Sequence, residues 1–233
     1  MIVRNDYNKQ SIAESMAELW KPLSKEQREY IVDNIKICFY NKNEVLYHET
    51  ESPEYMMCLL KGKVKVYKDG CERNQIIRVI NQMGFFGYSA AFDEGEYHAS
   101  ASALEESEVC MIPIKVIKKV IAENAKLAMF FIKQVSIMLR EADILTINLT
   151  QKHIRGRLAE ALLVLKDKYG VEEDGSTLSI YLSRENLANM SNMTTSNAIR
   201  TLSSFSTEHL IAIDGRKIKI INEEELNRVS KLG

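Results

Sequence analysis

Between Leu182 and Phe205 the chain reads LSRENLANMSNMTTSNAIRTLSSF, and its side chains capable of directed hydrogen bonding fall at helical spacing. Thr195, Ser196 and Arg200 share one face, with Ser196 and Arg200 one turn apart, while Ala198, Leu202 and Phe205 fall at steps of four and three on the other side. Hydroxyls that rotate to donate or accept, and a guanidinium that forks onto two acceptors, are the groups that read base edges or grip phosphates. A solvated helical face has a similar pattern, so the surrounding elements decide.

Those elements begin at Ser183, a good N-cap, with Arg184, Glu185 and Asn186 opening a short helix whose apolar contacts are Leu187, Ala188 and Met190. Ser191, Asn192 and Met193 make a turn in which Asn192 occupies a position that wants the left-handed region, which Asn tolerates. Thr194 caps the second helix. Further on, Ile211 to Ile220 alternates apolar and polar around Asp214-Gly215, a strong hairpin signal. The two helices and the hairpin together predict a winged helix, with Arg216, Lys217 and Lys219 within reach of phosphates. The expected nucleic-acid contacts are Thr194, Thr195, Ser196, Asn197, Arg200, Arg184, Arg216 and Lys217.

The rest of the chain must pair and orient that element. Its 233 residues, 45% hydrophobic and 27% charged, suffice for two globular domains. No apolar run approaches the ~20 residues a membrane span needs. MIVRNDYNKQ at the N-terminus lacks the apolar core of a secretion signal, so a cytoplasmic protein without a membrane partner is expected. Net charge is -1, and from Lys152 onward 12 Lys or Arg face 11 Asp or Glu, so DNA affinity has to come from local clustering. Cys38, Cys58, Cys71 and Cys110 are scattered and form no metal motif, so no metal or cofactor is expected.

Ile12, Met16, Leu19 and Trp20 predict a helix over 11–20, and Ser24-Lys25-Glu26-Gln27 is a capping box before Tyr30, Ile31 and Ile35. From about Ile37 to Pro113 short alternating runs predict strands at Cys38–Tyr40, Val45–His48, Tyr55–Leu60, Val64–Tyr67, Gln75–Ile80, His98–Ala103 and Glu108–Ile112. Many short strands at this spacing mean a sandwich or barrel. Helical periodicity then takes over. Leu127, Phe131, Val135, Met138, Ala142, Leu145 and Leu149 recur at steps of four and three, with a second apolar line at Phe130, Ile137 and Ile144. Two apolar faces on one helix imply two neighbours, the barrel and a partner chain, and the seven-residue line is the expected dimer seam. Arg155-Gly156-Arg157 is a hinge candidate, followed by a helix carrying Leu158, Leu162, Leu165 and Tyr169, the acidic loop Val171 to Gly175 and a strand over Leu178 to Leu182.

In this order the layout resembles the Crp/Fnr superfamily of bacterial transcription regulators, over nearly the whole chain. The carriers are LKGKVKVY at Leu60–Tyr67, GFFG at Gly84–Gly87, GRLAEALL at Gly156–Leu163 and LSRENLA at Leu182–Ala188. The resemblance implies an α+β chain: an N-terminal β jelly-roll barrel like that of cyclic-nucleotide-binding proteins, a long dimerisation helix and a C-terminal winged helix-turn-helix. The expected domains are 1–122, 123–151 and 152–233. It implies a homodimeric regulator rather than an enzyme, with double-stranded DNA as partner and RNA polymerase as a further one; the loop Tyr169 to Gly175 is the surface considered for that contact.

The resemblance also places an effector pocket, at Phe86, Gly87, Tyr88, Ser89, Tyr97, His98, Ala99, Ala142 and Asp143. Nucleotide-binding members carry a Glu after the second Gly of the phosphate loop and an Arg-Ser pair a few residues on; here those places hold Tyr88 and His98-Ala99. Where the family sets Thr-Ser against the base, this chain has Ala142-Asp143. An Arg fork suits a phosphate and a largely neutral His does not, so the expected effector, if any, is an unknown small molecule other than cyclic AMP. Iron-sulfur members cluster cysteines near the N-terminus, and none precedes Cys38. Two other readings compete: a ligand-binding or protein-interaction module without DNA binding, and a cupin-type metal enzyme. The latter cannot be assembled from His48, His98, His153 and His209, of which only the first two fall in the barrel.

Overall fold

The computed structural model describes residues 2–3, 12, 16–71 and 73–232. Much of the helix expected over 11–20 lies outside the described residues; α1 (Ala17–Trp20) is the part inside them. Ser24 caps α2 (Lys25–Asn34) through the expected box: its hydroxyl accepts from the Gln27 amide at 3.3 Å while Gln27 Oε1 accepts from the Ser24 amide at 3.1 Å. Ile31 and Ile35 are buried as the pattern requires, whereas Tyr30 is exposed with Lys119 Nζ 4.8 Å from its ring centroid.

The strands follow as β1 (Ile2–Val3), β2 (Lys36–Tyr40), β3 (Val45–Tyr47), β4 (Tyr55–Lys61), β5 (Val64–Lys68), β6 (Gln75–Ile80), β7 (Phe85–Phe86), β8 (Ser100–Ala103) and β9 (Ser107–Pro113), with the one-turn helix α3 (Ser89–Phe92) after β7. They form a sheet of order β1-β2-β9-β4-β7 and a second of order β3-β8-β5-β6, the antiparallel two-sheet architecture of the expected jelly roll. Gly62 turns β4 into β5 at φ +90, where a Cβ would lie 2.4 Å from Ser107 Oγ, so both conformation and space demand glycine.

Two apolar clusters build this unit. One lies inside the barrel and includes Tyr40, Tyr47, Met57, Leu59, Phe86, Tyr97 and Met111. The other lies between barrel and helices, where α4 (Ile114–Glu123) contributes Val116, Ile117 and Val120 and α5 (Ala125–Gln151) contributes Leu127 and Phe131. The long helix is therefore real, but Leu127 and Phe131 are buried in this core and Met138 packs against it. That corrects the dimer seam: these three positions of the expected line face the barrel. The face left outward carries Met129, Ile132, Val135 and Leu139, with Ile132 55% and Leu139 64% exposed, and farther along Ala142, Ile144 and Ile147. Leu145 and Leu149 are half-buried.

The chain divides into two compact units, Met1–Lys68 with Arg78–Arg140 and Asp69–Ile77 with Glu141–Gly233, so the long helix contributes to both. In the second unit the chain breaks at Lys152 and His153 before α6 (Ile154–Tyr169). Gly156, expected at a joint, instead sits buried in the first turn of α6, where the backbone is helical and does not bend. Leu158, Leu162 and Leu165 are buried, and Gly170 ends the helix at φ +71. The segment Leu178 to Leu182 shows the period-two burial of the expected strand, yet among the described residues it makes a single bridge, Leu178 to Val171, with Thr177 just before it bridging Lys219, too few for a ladder. Then come α7 (Arg184–Met190), α8 (Thr195–Thr207), the hairpin of β10 (Ile211–Asp214) and β11 (Lys217–Ile220), and α9 (Glu223–Leu232). None of the described helices is long and apolar enough to cross a membrane.

Candidate nucleic-acid interface

The helix-turn-helix forms from the local signals that suggested it. Ser183 Oγ accepts from the Asn186 amide at 3.1 Å to start α7, and Thr194 Oγ1 accepts from the Asn197 amide at 3.2 Å to start α8. Asn192 takes φ +48 in the turn between them. Leu187 and Ala188 from α7 and Ala198, Leu202 and Phe205 from α8 are buried, so the two helices are locked through their apolar sides.

What α8 turns outward is therefore fixed by what it turns in. Thr194, Thr195, Ser196 and Arg200 are exposed and Asn197 is half-buried. Asn197 Oδ1 accepts from Arg200 Nη2 at 2.6 Å, which restrains the guanidinium while leaving its other donors for a base edge. Between these polar groups lies Ile199, 48% exposed. It is not among the contacts expected from the sequence. Its position one residue before Arg200, off the line of Ala198, Leu202 and Phe205, was the available signal. An exposed aliphatic group on such a face suits the methyl of thymine.

The basic groups fare unequally. Arg216 and Lys217 are exposed on the hairpin, with Lys217 Nζ 5.7 Å from the centroid of the Tyr181 ring. Lys219 Nζ is 3.3 Å from Asp174 Oδ2, so its charge is already matched. Asp174 also accepts from the Ser176 and Thr177 amides and the Thr177 hydroxyl, and these bonds hold its carboxyl far below the ordinary range. Arg184 departs from expectation. Its Nη2 donates to the Gly215 carbonyl at 2.7 Å and its Nη1 is buried with no partner, so it anchors the hairpin turn to α7 and is not free to meet a phosphate.

The first turn of α6 supports both ends of α8. Arg157 donates from Nη2 to the Asn192 carbonyl at 3.2 Å, ahead of α8, and from Nη1 to the Leu149 carbonyl at 3.3 Å, near the end of the long helix. Arg155 reaches the far end of α8, where it meets Ser204 and Glu208.

Within the barrel unit the residues of the expected effector pocket do not share one lining. In the barrel unit Phe86, Tyr97 and Ala99 line the interior, but Tyr88 belongs to the other cluster, its ring 5.4 Å from that of Phe131 and its hydroxyl 3.4 Å from Met138 Sδ. Ser89 is exposed, and the His98 side chain is 79% exposed, its Nε2 3.6 Å from Asp93 Oδ2. Ala142 and Asp143 are exposed on the long helix. Inside, Tyr97 stacks on Tyr47 at 3.8 Å between centroids and donates its hydroxyl to the Gly87 carbonyl at 3.2 Å, while the Tyr40 hydroxyl lies 3.7 Å from Met111 Sδ. Burial pushes the Tyr47 phenol up to about 12 and Tyr97 higher still, as expected where ionisation has no solvent. Among the described residues no three His, Cys, Asp or Glu side chains gather as a metal set.

Comparison with known proteins agrees with this architecture. Residues 37–124 match the cyclic nucleotide-binding domain model and residues 156–229 the Crp-like helix-turn-helix domain model. The chain is 25% identical over 194 residues to the cAMP-activated global transcriptional regulator CRP of Pasteurella multocida, covering 82% of this chain and 93% of that protein. It is also 25% identical over 197 residues to the global nitrogen regulator of Nostoc, covering 81% and 86%. The structure of FixK2 from Bradyrhizobium japonicum superposes with a TM-score of 0.76 at 23% identity, over 84% of this chain and 96% of that one.

Proposed function

Because the chain belongs to the Crp/Fnr superfamily of transcription regulators, we propose that it works in the cytoplasm as a homodimer, reading a two-fold symmetric DNA site with α8 and taking no instruction from cyclic AMP. The observation that carries the reading is the outward face of α8, where Thr195, Ser196, Ile199 and Arg200 sit together on a helix whose other side is sealed into a core. Arg200 donates to a purine edge, Ile199 packs on a thymine methyl, and the hydroxyls of Thr195 and Ser196 take a base or a phosphate. Arg216 and Lys217 add sequence-independent attraction.

The dimer forms through the outward stripe of the long helix, Ile132, Val135 and Leu139 continuing past Ala142, which water would otherwise cover. Two recognition helices then enter successive major grooves, about 34 Å apart. RNA polymerase is met through the loop from Tyr169 to Gly175, where Asp174 and Glu172 are engaged by the unit's own residues and Glu173 stays outward.

Relatives named as cAMP-activated do not set the effector here. The Tyr97 hydroxyl already occupies the Gly87 carbonyl, and His98 points to solvent. Any effector is a small molecule of another kind.

The test is selection of duplexes from a randomised pool by the full-length protein at two salt concentrations, without added ligand. Enrichment of an inverted repeat supports the reading, and failure to enrich anything at either salt, with and without small-molecule candidates, sinks it. Calorimetry with cyclic AMP is expected to give no binding heat; tight binding abolished by His98→Ala would overturn the effector assignment.

A further inference from the structure

The last turn of α8 is held by a side chain that the DNA-reading face does not include. Arg155, the second residue of α6, donates from Nη1 to Ser204 Oγ at 2.8 Å and to Glu208 Oε1 at 2.9 Å, and from Nη2 to Glu208 Oε2 at 2.7 Å. Ser204 Oγ in turn donates to Glu208 Oε1 at 2.6 Å. The guanidinium carbon stands 5.0 Å from the centroid of the Phe205 ring, which is fully buried. Although the pair is partly exposed, a planar fork that closes on both carboxylate oxygens over an aromatic ring has fewer orientations open to it than a single-contact ion pair. It therefore constrains direction as well as distance.

We propose that Arg155 is a positioning residue for base reading: together with Glu208 and Ser204 it fixes the exit of α8 to the first turn of α6, and so sets the angle at which Arg200 and Ile199 are presented. Arg200 lies about one turn before Ser204 and just over two before Glu208, on a helix whose start is held by the Thr194 cap and by Arg157. Leu202 and Phe205 keep the helix on its core, so releasing the exit loosens the last turn rather than freeing the helix, and the groups ahead of it lose fine alignment. Base contacts depend on alignment to fractions of an ångström, whereas phosphate attraction does not.

The inference rests on the proposed reading of DNA, and the test separates the two. Wild type, Arg155→Ala, Arg155→Lys and Glu208→Gln full-length proteins are compared by amide hydrogen exchange over Thr201–Leu210 without DNA. They are then compared by affinity for the selected duplex and for a random duplex. Arg155→Ala should speed exchange in that segment and shrink the selected-to-random affinity ratio about tenfold, with random-duplex affinity changed by less than about twofold. Arg155→Lys keeps the charge but loses the fork, and should recover only part of the ratio. A change in the folded fraction alone scales both affinities together and leaves the ratio fixed. Equal losses on both duplexes would make Arg155 a phosphate contact and overturn the proposal, as would a wild-type ratio or wild-type exchange in Arg155→Ala. A wild-type protein that prefers no duplex overturns the reading of DNA itself, and the clamp's part in base choice with it.

Discussion

On the outer face of α8 the hydrogen-bonding groups of Thr195, Ser196 and Arg200 are turned to solvent, whereas inside the barrel the hydroxyls of Tyr97 and Tyr40 are committed to the Gly87 carbonyl and to Met111 Sδ. Both regions belong to the same family scaffold. One keeps its polar groups available for a partner molecule and the other satisfies them internally, so a partner in the barrel would have to displace bonds that already exist. The difference teaches that two ends of one scaffold offer a partner different things: outward groups ready to bond on α8, and groups already bonded to one another in the barrel.

The sharpest way to break that contrast is to empty the barrel. Tyr97→Ala removes a ring stacked on Tyr47 and buried to 7% exposure, and should destabilise the barrel unit by about 3 to 5 kcal/mol in denaturant unfolding. If the interior were instead a waiting pocket, the loss would be small and cyclic nucleotide binding would be undisturbed in its absence. Tyr97→Phe, which keeps the ring and deletes the bond to Gly87, should cost about 1 kcal/mol.

The barrel is legible from the sequence because its strands are short apolar runs bounded by turn residues, although only β5 alternates strictly in burial while β4, β8 and β9 are buried almost throughout; β4, β5, β6 and β9 lie within a few residues of the expected runs. β7 was not, since two residues carry no period, and α3 was hidden for the same reason. The long helix shows a different limit. Periodicity finds apolar lines but not their neighbours, so Leu127 and Phe131 were given to a partner chain although the barrel core buries them. Arg184 shows another. A cation at the start of the helix-turn-helix suggests a phosphate contact, and only the position of the Gly215 carbonyl reveals that the hairpin turn is its partner. The cap residues Ser183 and Thr194 and the left-handed Asn192 were readable because their effects are confined to a few neighbouring amides.

At the other end of the contrast the largest expected effect is on Arg200. Arg200→Ala should lose about 1 to 3 kcal/mol on the selected duplex and relax base choice at one position, with little change on random DNA. Equal loss on every sequence would mean that the outward face attracts but does not read. Ile199→Ala should be milder, about 1 kcal/mol, and confined to sites with thymine opposite it; replacing that thymine with uracil should remove the difference between the two proteins.

Lys217 sharpens the distinction between reading and attraction within the same unit. It is exposed on the hairpin with its amine over the Tyr181 ring, so Lys217→Ala should weaken selected and random duplexes alike, by about 1 kcal/mol or less, and reduce the salt slope by roughly 1. Lys219→Ala should change binding less, because Asp174 already matches its charge. A larger effect at Lys219 than at Lys217 would mean that the hairpin meets DNA by its other edge.

The smallest effect concerns the frame behind the reading face. The Arg155 fork and the Ser204 hydroxyl pull the Glu208 carboxyl from an ordinary 4.5 to about 2. A pKa lowered on folding means that the ionised carboxylate favours the folded state, so its contribution is complete above about pH 4.5 and disappears as pH falls through about 2. The Glu208 side chain is 42% exposed, so solvent and salt screen the interaction and the contribution is small. The difference in unfolding free energy between wild type and Glu208→Gln should be constant above pH 4.5 and shrink towards pH 2, measured by denaturant unfolding at low salt. A difference that stays level across the window would mean that Glu208 is held by packing rather than by charge. Thr195, Ser196 and Ile199 on the reading face have no charge to lose there, so acid should loosen the support of α8 before it alters the chemistry that faces the groove.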